Sequence, residues 1–416
     1  MAVPTVKAII NFSTGASFAQ SMILDTGVLD TNILSDSSTV IVDVSNQVDS
    51  ITTQRGRNAS ADQFQSGNLT MRIVDQNGDF NPQNTTGPYY GLLNPMRKVQ
   101  ISATYLGVTY PLFSGFITGY NTTTPKYVGD VVYTTITAVD AMRLLTNALV
   151  TTVTGAVAGE NTGTRIGKVL DTIAWPSSMR SIATGQTTVQ ADPGTARSAL
   201  ATCQTLEITE YGAFYIDPSG IVTFKNRDYC TTSAAGTPVY FNDNGTNISY
   251  FNAFWILNDA QVVNQASITA TGLATQTAIN QASIDKFFVH SYTQTDLLMQ
   301  TTADALSNAQ AYVASRAETT IRCDAITLDL YTNNYAVGTV AALDLDYFDP
   351  INITTTQPGT GATTSSITKN LQVFGVQHQI STNSWKTTFT TLEPIIDGFI
   401  LNSSLYGLLD TNTLSY

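Results

Sequence analysis

Short alternations of apolar and polar residues dominate the first 150 positions. Residues 40–44 (VIVDV), 68–74 (NLTMRIV), 99–105 (VQISATY) and 131–139 each place apolar side chains two apart. That is the period at which a strand turns one face to a core. Turn-forming clusters separate them at 76–79 (QNGD), Asn81-Pro82 and 120–125. Many short strands cut by turns predict a barrel or sandwich. Residues 140–149 (DAMRLLTNAL) change to helical spacing and predict a helix closing a β-barrel-like domain over 1–150.

A different texture covers 151–235. Apolar residues Ile166, Val169, Leu170 and Ile173 recur at helical spacing within 163–174, and Trp175-Pro176 ends the run. A second helix is expected over 195–206. Residues 212–225 then predict a hairpin turned by 217–220 (DPSG), giving a small α+β helix-hairpin module. Strands resume at 239–241 and 261–270. A single long helix is predicted over 296–316, with Leu298, Thr302, Ala305, Ala309, Tyr312 and Val313 on one side. Alternation returns at 326–330, 349–354, 371–380 and 384–392, with a Gly/Thr loop over 355–366. These make a second β-barrel-like domain, 236–395, carrying helix 296–316, followed by a C-terminal extension, 396–416. The fold class expected is mainly β with α+β modules.

Composition sharpens this picture. The chain has 416 residues, enough for roughly two to four domains. Apolar residues make up 43% but charged ones only 12%, well under the ~25% of an ordinary soluble domain. A neutral, Thr-rich surface favours strands and suits a subunit that spends its life in an assembly. The net charge of −12 argues against specific nucleic-acid binding, which needs clusters of Lys and Arg. No apolar run approaches the ~18 residues of a membrane-spanning helix, and the N-terminus lacks a signal-peptide pattern. The expectation is a soluble chain made in a cytoplasm, without a membrane anchor.

Candidate chemistry is sparse. Cys203, Cys230 and Cys323 have no metal spacing and read as buried reduced thiols. His290 and His378 are the two histidines, too far apart for a zinc site with these cysteines. His378 is expected on a strand at an edge or interface. Asp75, Asn77 and Asp79 have the oxygen spacing that opens a calcium loop. The later carboxylate is missing, since Thr86 holds its place, so a polar hairpin turn is the better reading. Asp344, Asp346 and Asp349 read as a solvated strand end. No catalytic residues, metal site or cofactor are expected. One echo remains: residues 27–35 (GVLDTNILS) and 407–415 (GLLDTNTLS) agree at seven of nine positions. Leu29, Asp30, Asn32, Leu409, Asp410 and Asn412 are therefore candidate assembly-interface residues, performing one structural task at two equivalent places.

A resemblance then enters through Arg55-Gly56-Arg57, Asp62, Phe64, Gly67, 73–82 (IVDQNGDFNP), 88–90 (PYY), Asn94-Pro95, Val99 and 110–115 (YPLFSG). These residues resemble the N-terminal domain of minor tail or baseplate hub proteins of long-tailed bacteriophages. The order continues through 212–227, 296–330, 371–392 and 399–401. The resemblance implies a virion protein of the tail tip with two barrel-like domains. Three copies would form a homotrimer whose six similar barrels meet a sixfold tail and adapt it to a threefold tip. Its implied partners are the distal tail or tube protein ring and tip or fibre proteins, and DNA would slide through an acidic channel. The sequence departs from the family in having no long collagen-like or heptad extension and no fused peptidoglycan-cutting domain. Two alternatives stand beside this reading: a hexameric distal tail protein, and a carbohydrate-binding or -cleaving tail protein in which Tyr89, Tyr90 or Trp385 stacks on sugar.

Overall fold

The computed structural model describes residues 3–13, 40–57, 63–123, 130–331, 336–357 and 365–394. The N-terminal strands are β1 (Thr5–Asn11), β2 (Ile41–Asp43), β3 (Val48–Gly56), β4 (Gln65–Val74), β5 (Lys98–Tyr105), β6 (Val108–Thr123) and β7 (Tyr133–Val139). They pair in the order β3-β4-β7-β6-β5-β1-β2. In β4 the alternation holds residue by residue: Gly67, Leu69, Met71 and Ile73 point inward and their neighbours face water. The segment after β4 is not a hairpin, because β4 pairs with β3 and β7 instead of β5. It is a chain of turns, opened where the Gly78 N–H donates to the Asp75 carbonyl at 3.1 Å.

Helix α1 (Met142–Asn147) and the short β8 (Leu149–Val150) close this half. The next segment holds α2 (Thr162–Thr172), β9 (Arg180–Ile182), β10 (Arg197–Ser198), α3 (Ala199–Glu210), β11 (Ala213–Ile216), β12 (Val222–Lys225) and α4 (Arg227–Thr232). The β11–β12 hairpin forms as expected, with β9 added in parallel. Helix α3 starts and ends four residues later than its pattern suggested. Residues 197–198 are taken by pairing with β8, and the Ser198 hydroxyl caps the helix by accepting from Ala201 N. Its far end runs on through Glu207 and Glu210, which are buried because their carboxylates accept backbone N–H groups. Glu207 accepts from Phe214 at 2.9 Å, and Glu210 from Gln186 and Thr187 at 2.8 Å each.

The C-terminal half supplies β13 (Val239–Asn242), β14 (Ile248–Ser249), β15 (Asn252–Ile256), β16 (Gln265–Ala270), β17 (Gln276–Ile279), α5 (Gln281–Phe287), β18 (Ser291–Leu297), α6 (Thr302–Arg316), β19 (Arg322–Asp329), α7 (Val337–Asp344), β20 (Pro350–Gln357), β21 (Ser365–Ser381) and β22 (Ser384–Leu392). The predicted helix 296–316 is corrected here: residues 296–297 end strand β18 and the helix begins at Thr302. Leu297 pairs with Ala270, and the Thr301 hydroxyl caps α6 by accepting from Asp304 N. Helix α6 covers a separate three-stranded sheet, β17-β16-β18. Ala266, Ile268, Ala305, Ala309, Tyr312 and Val313 form a small core of their own there. This unit leaves the main sheet after β15 and returns at β19, and those two strands pair antiparallel.

Strand β21 joins the halves. It pairs with β20 along its first part, and with β22 on one side and β3 on the other along its second. Fourteen strands thereby form one continuous sheet, so the fold is mainly β. Among the described residues no sheet closes on itself.

Candidate functional site

The six candidate assembly residues, Leu29, Asp30, Asn32, Leu409, Asp410 and Asn412, lie outside the described residues, as does the extension 396–416. The other candidates scatter. Asp75 accepts from the Thr134 hydroxyl at 2.7 Å and faces the Phe80 N–H, which makes it a turn anchor. No group of three His, Cys, Asp or Glu side chains suited to a metal ion occurs among the described residues. Cys203 is fully buried in α3, and burial raises its thiol well above the usual range.

His378, expected on a strand at an edge or interface, is corrected to the interior. It sits on β21 opposite Thr53 of β3 and Thr387 of β22, 2% exposed, with Nδ1 2.9 Å from the Thr387 hydroxyl. Burial, helped by the Arg55 charge, pushes it down to about 3. It is a neutral core residue sealed from any substrate. Trp385 is likewise 1% exposed, and Tyr89 stacks on Phe12 at 5.1 Å. Of the proposed sugar-stacking aromatics, Tyr90 alone faces water.

Arg55, Asp346 and Asp349 do meet. Arg55 at the end of β3 donates from Nε to the Leu112 carbonyl of β6 at 3.1 Å, and from an Nη to Asp346 at 3.0 Å. The guanidinium is buried and lies 5.2 Å from the centre of the Tyr347 ring. Burial opposes its charge, but Asp346, Tyr347 and Asp217 together more than offset that and raise it further above its ordinary range. The Asp346 N–H donates to the Asp349 carboxylate at 2.8 Å, and the Phe348 N–H and Val373 N–H lace the turn to β21. The predicted solvated strand end is therefore corrected: Asp344 is exposed, but Asp346 and Asp349 are built into the joint. Sequence reasoning missed this because Arg55 and Asp346 are 291 residues apart.

Beside them Phe64 touches Tyr215, Tyr347, Phe348 and Phe374, and Arg57 covers the Phe374 ring at 4.4 Å. Gly56, between the two arginines, has φ +104°. A side chain there would meet the Phe374 carbonyl oxygen at 2.3 Å and Gly375 Cα at 2.5 Å. The helix-hairpin module reaches the same place, since a side chain on Gly220 would meet the Ser114 hydroxyl of β6 at 2.8 Å. The Arg55-Gly56-Arg57 motif is thus where the two halves and the module are fastened together. A cavity of about 60 Å³ lies alongside, lined in part by Arg57, Phe64, Cys230 and Gln372. The arrangement is a structural clasp of ion pair, ring stack and close backbone approach.

No protein-family model and no curated protein sequence matches the chain. Solved structures do. A tail protein from Neisseria meningitidis MC58 superposes over 83% of this chain and 96% of its own, with a TM-score of 0.52 and 11% identity. The 43 kDa tail protein of prophage MuSo2 from Shewanella oneidensis does so over 86% and 96%, with a TM-score of 0.52 and 10% identity. The chain shares its fold with these tail proteins. The matches cover most of this chain and nearly all of each neighbour, so the likeness is one of overall fold. At such identity it is carried by backbone pattern, since almost every side chain has changed.

Proposed function

We propose that this protein is a structural, non-enzymatic component of a bacteriophage tail, acting as the baseplate hub at the tail tip. The observation that carries the reading is the shared fold with two tail proteins along nearly their whole length. In this reading the two halves of the long sheet are the two barrel-like units, and three chains present six of them to a sixfold tail. Heterologous contacts that close by rotation would make the ring, which would sit between the distal tail or tube protein and tip or fibre proteins. The −12 charge suits a channel through which DNA slides without sticking. Burial of Trp385 and partial covering of Tyr89 weigh against the sugar-stacking alternative.

Light scattering coupled to size-exclusion chromatography, followed by particle averaging, tests this. A ring with the mass of three 44.6 kDa chains is expected. Six chains with sixfold symmetry would favour a distal tail protein instead. A stable monomer that depolymerises polysaccharide would overturn the structural reading.

A further inference from the structure

The loop from β13 to β14 carries Asn244-Gly245, one of two Asn-Gly pairs in the chain; the other is Asn77-Gly78. At Asn244 the side chain is folded back along its own backbone. Its Oδ1 accepts the Thr246 N–H at 3.0 Å and the Thr246 hydroxyl at 2.8 Å. Asn242, 3% exposed, fixes the direction of that hydroxyl. Its Nδ2 donates to Thr246 Oγ1 at 2.7 Å, which leaves the hydroxyl hydrogen for Asn244. Two donors aimed at one amide oxygen draw electron density from Cγ and wait where negative charge would develop. Gly245 stands between them at φ +80°, with open space where a side chain would be. Among the described residues no acceptor takes its N–H. Asn244 and Gly245 are both exposed, so water reaches them.

We infer that Asn244-Gly245 is a self-modifying site, at which the folded chain loses ammonia without an enzyme. The Gly245 nitrogen gives its proton to hydroxide and bonds to Asn244 Cγ, closing a five-membered ring. The electron pair displaced from the carbonyl rests on Oδ1, between the two Thr246 donors. It returns as the Cγ–Nδ2 bond breaks, and the leaving nitrogen takes a proton from water and departs as ammonia. Water then opens the cyclic imide. Opening at Cγ gives aspartate, and opening at the Asn244 backbone carbonyl gives isoaspartate, with the main chain rerouted through the side chain. One water is consumed and one ammonia released.

Two other asparagines each hold half of this arrangement. Asn77 is followed by glycine, but the Gly78 N–H is bound to the Asp75 carbonyl at 3.1 Å. Asn84 has the polarised amide, since its Oδ1 accepts Thr86 N at 3.2 Å and the Thr86 hydroxyl at 2.9 Å. Its nucleophile would come from Thr85, whose branched side chain crowds the ring. Its Nδ2 is also tied to the Asn77 and Gly78 carbonyls, at 3.2 and 3.0 Å. Asn244 alone among these three combines the free nucleophile with the polarised carbon.

The site borders a structural contact. The neighbouring Asp243 carboxylate accepts the Thr356 N–H of β20 at 2.7 Å and its hydroxyl at 3.0 Å. A new carboxylate beside Asp243, or an added main-chain atom in so short a loop, loosens that contact.

The test is incubation of the folded, full-length protein at mildly alkaline pH. Peptide mapping by mass spectrometry follows amide-to-acid conversion at each asparagine, and electron-transfer fragmentation separates aspartate from isoaspartate. Asn244 should convert about tenfold faster than Asn77, the rate equivalent of ~1.4 kcal/mol for freeing the bonded Gly78 N–H. In urea-unfolded chains the two pairs should react alike, since each is followed by glycine. Thr246→Val keeps the side-chain shape, removes one donor and should slow Asn244 about threefold in the folded protein, within the range for one neutral hydrogen bond. Its unfolded rate should match wild type. Equal folded-state rates at Asn244 and Asn77, or a Thr246→Val chain converting as fast as wild type, would overturn the inference. In converted protein the Thr356 amide should exchange hydrogen faster, and unchanged protection would overturn the link to β20.

Discussion

Gly56→Ala is the sharpest test of the clasp. The residue adopts φ +104°, where a Cβ costs about 1–2 kcal/mol by its own backbone clash. The added methyl then meets two backbone atoms, the Phe374 oxygen at 2.3 Å and Gly375 Cα at 2.5 Å, and backbone cannot swing aside as a long side chain can. Overpacking of this kind costs about 1–3 kcal/mol more. The sum, roughly 2–5 kcal/mol, falls on the ladder that, among the described residues, joins the halves, where Gly56 pairs with Gly375. Urea unfolding followed by tryptophan fluorescence measures it, because Trp385 is buried on β22, next to β21. The unfolding midpoint should fall, and the Trp385 environment should change before the module's Trp175. A variant within about 0.5 kcal/mol of wild type, the range of an ordinary surface change, would refute the claim that close backbone approach fastens the sheet.

Two further outcomes follow from single side chains. Arg55→Ala leaves Asp346 without its cation and should destabilise by about 3 kcal/mol, the lower end for a broken buried pair because Asp346 is 31% exposed; a double-mutant cycle with Asp346→Asn should recover most of that as coupling, and additive losses would count against the pair. Phe288→Gly should raise the thermal midpoint: Phe288 is held at φ 64°, ψ −178°, a region that suits glycine, while its side chain is 80% exposed. Relief of about 1–3 kcal/mol of strain outweighs glycine's entropy cost of about 0.5–1 kcal/mol. Asn264 clamps this conformation through the Phe288 carbonyl and the His290 N–H at 2.7 Å each, so a lowered midpoint would show that the clamp, and not the side chain, sets the energy.

Period and turn chemistry determined much of the chain by themselves. The strict alternation of residues 68–74 gave β4, and the DPSG turn gave the β11–β12 hairpin, because short-range pattern and turn residues act within a few positions. Helix α2 followed from its apolar stripe and the Trp175-Pro176 stop. Boundaries slipped where a neighbour from elsewhere in the chain claimed the end of an element. Residues 296–297 joined β18 because Leu297 found Ala270, and α3 kept its last turn because two glutamates found backbone donors. Such partners leave no local mark.

Tertiary structure alone decided what the polar residues do. His378 looked like an edge or interface histidine until β3 and β22 closed over it. Asp346 looked solvated until Arg55 arrived from the far end of the chain. Alternation says that a strand has a buried face, but it does not say which strand lies beside it. The pairing of β21 with β3, which turns two stretches of alternating sequence into one sheet, depends on contacts more than 300 residues apart in the chain. Those contacts can form only where Gly56 and Gly375 let the two backbones touch.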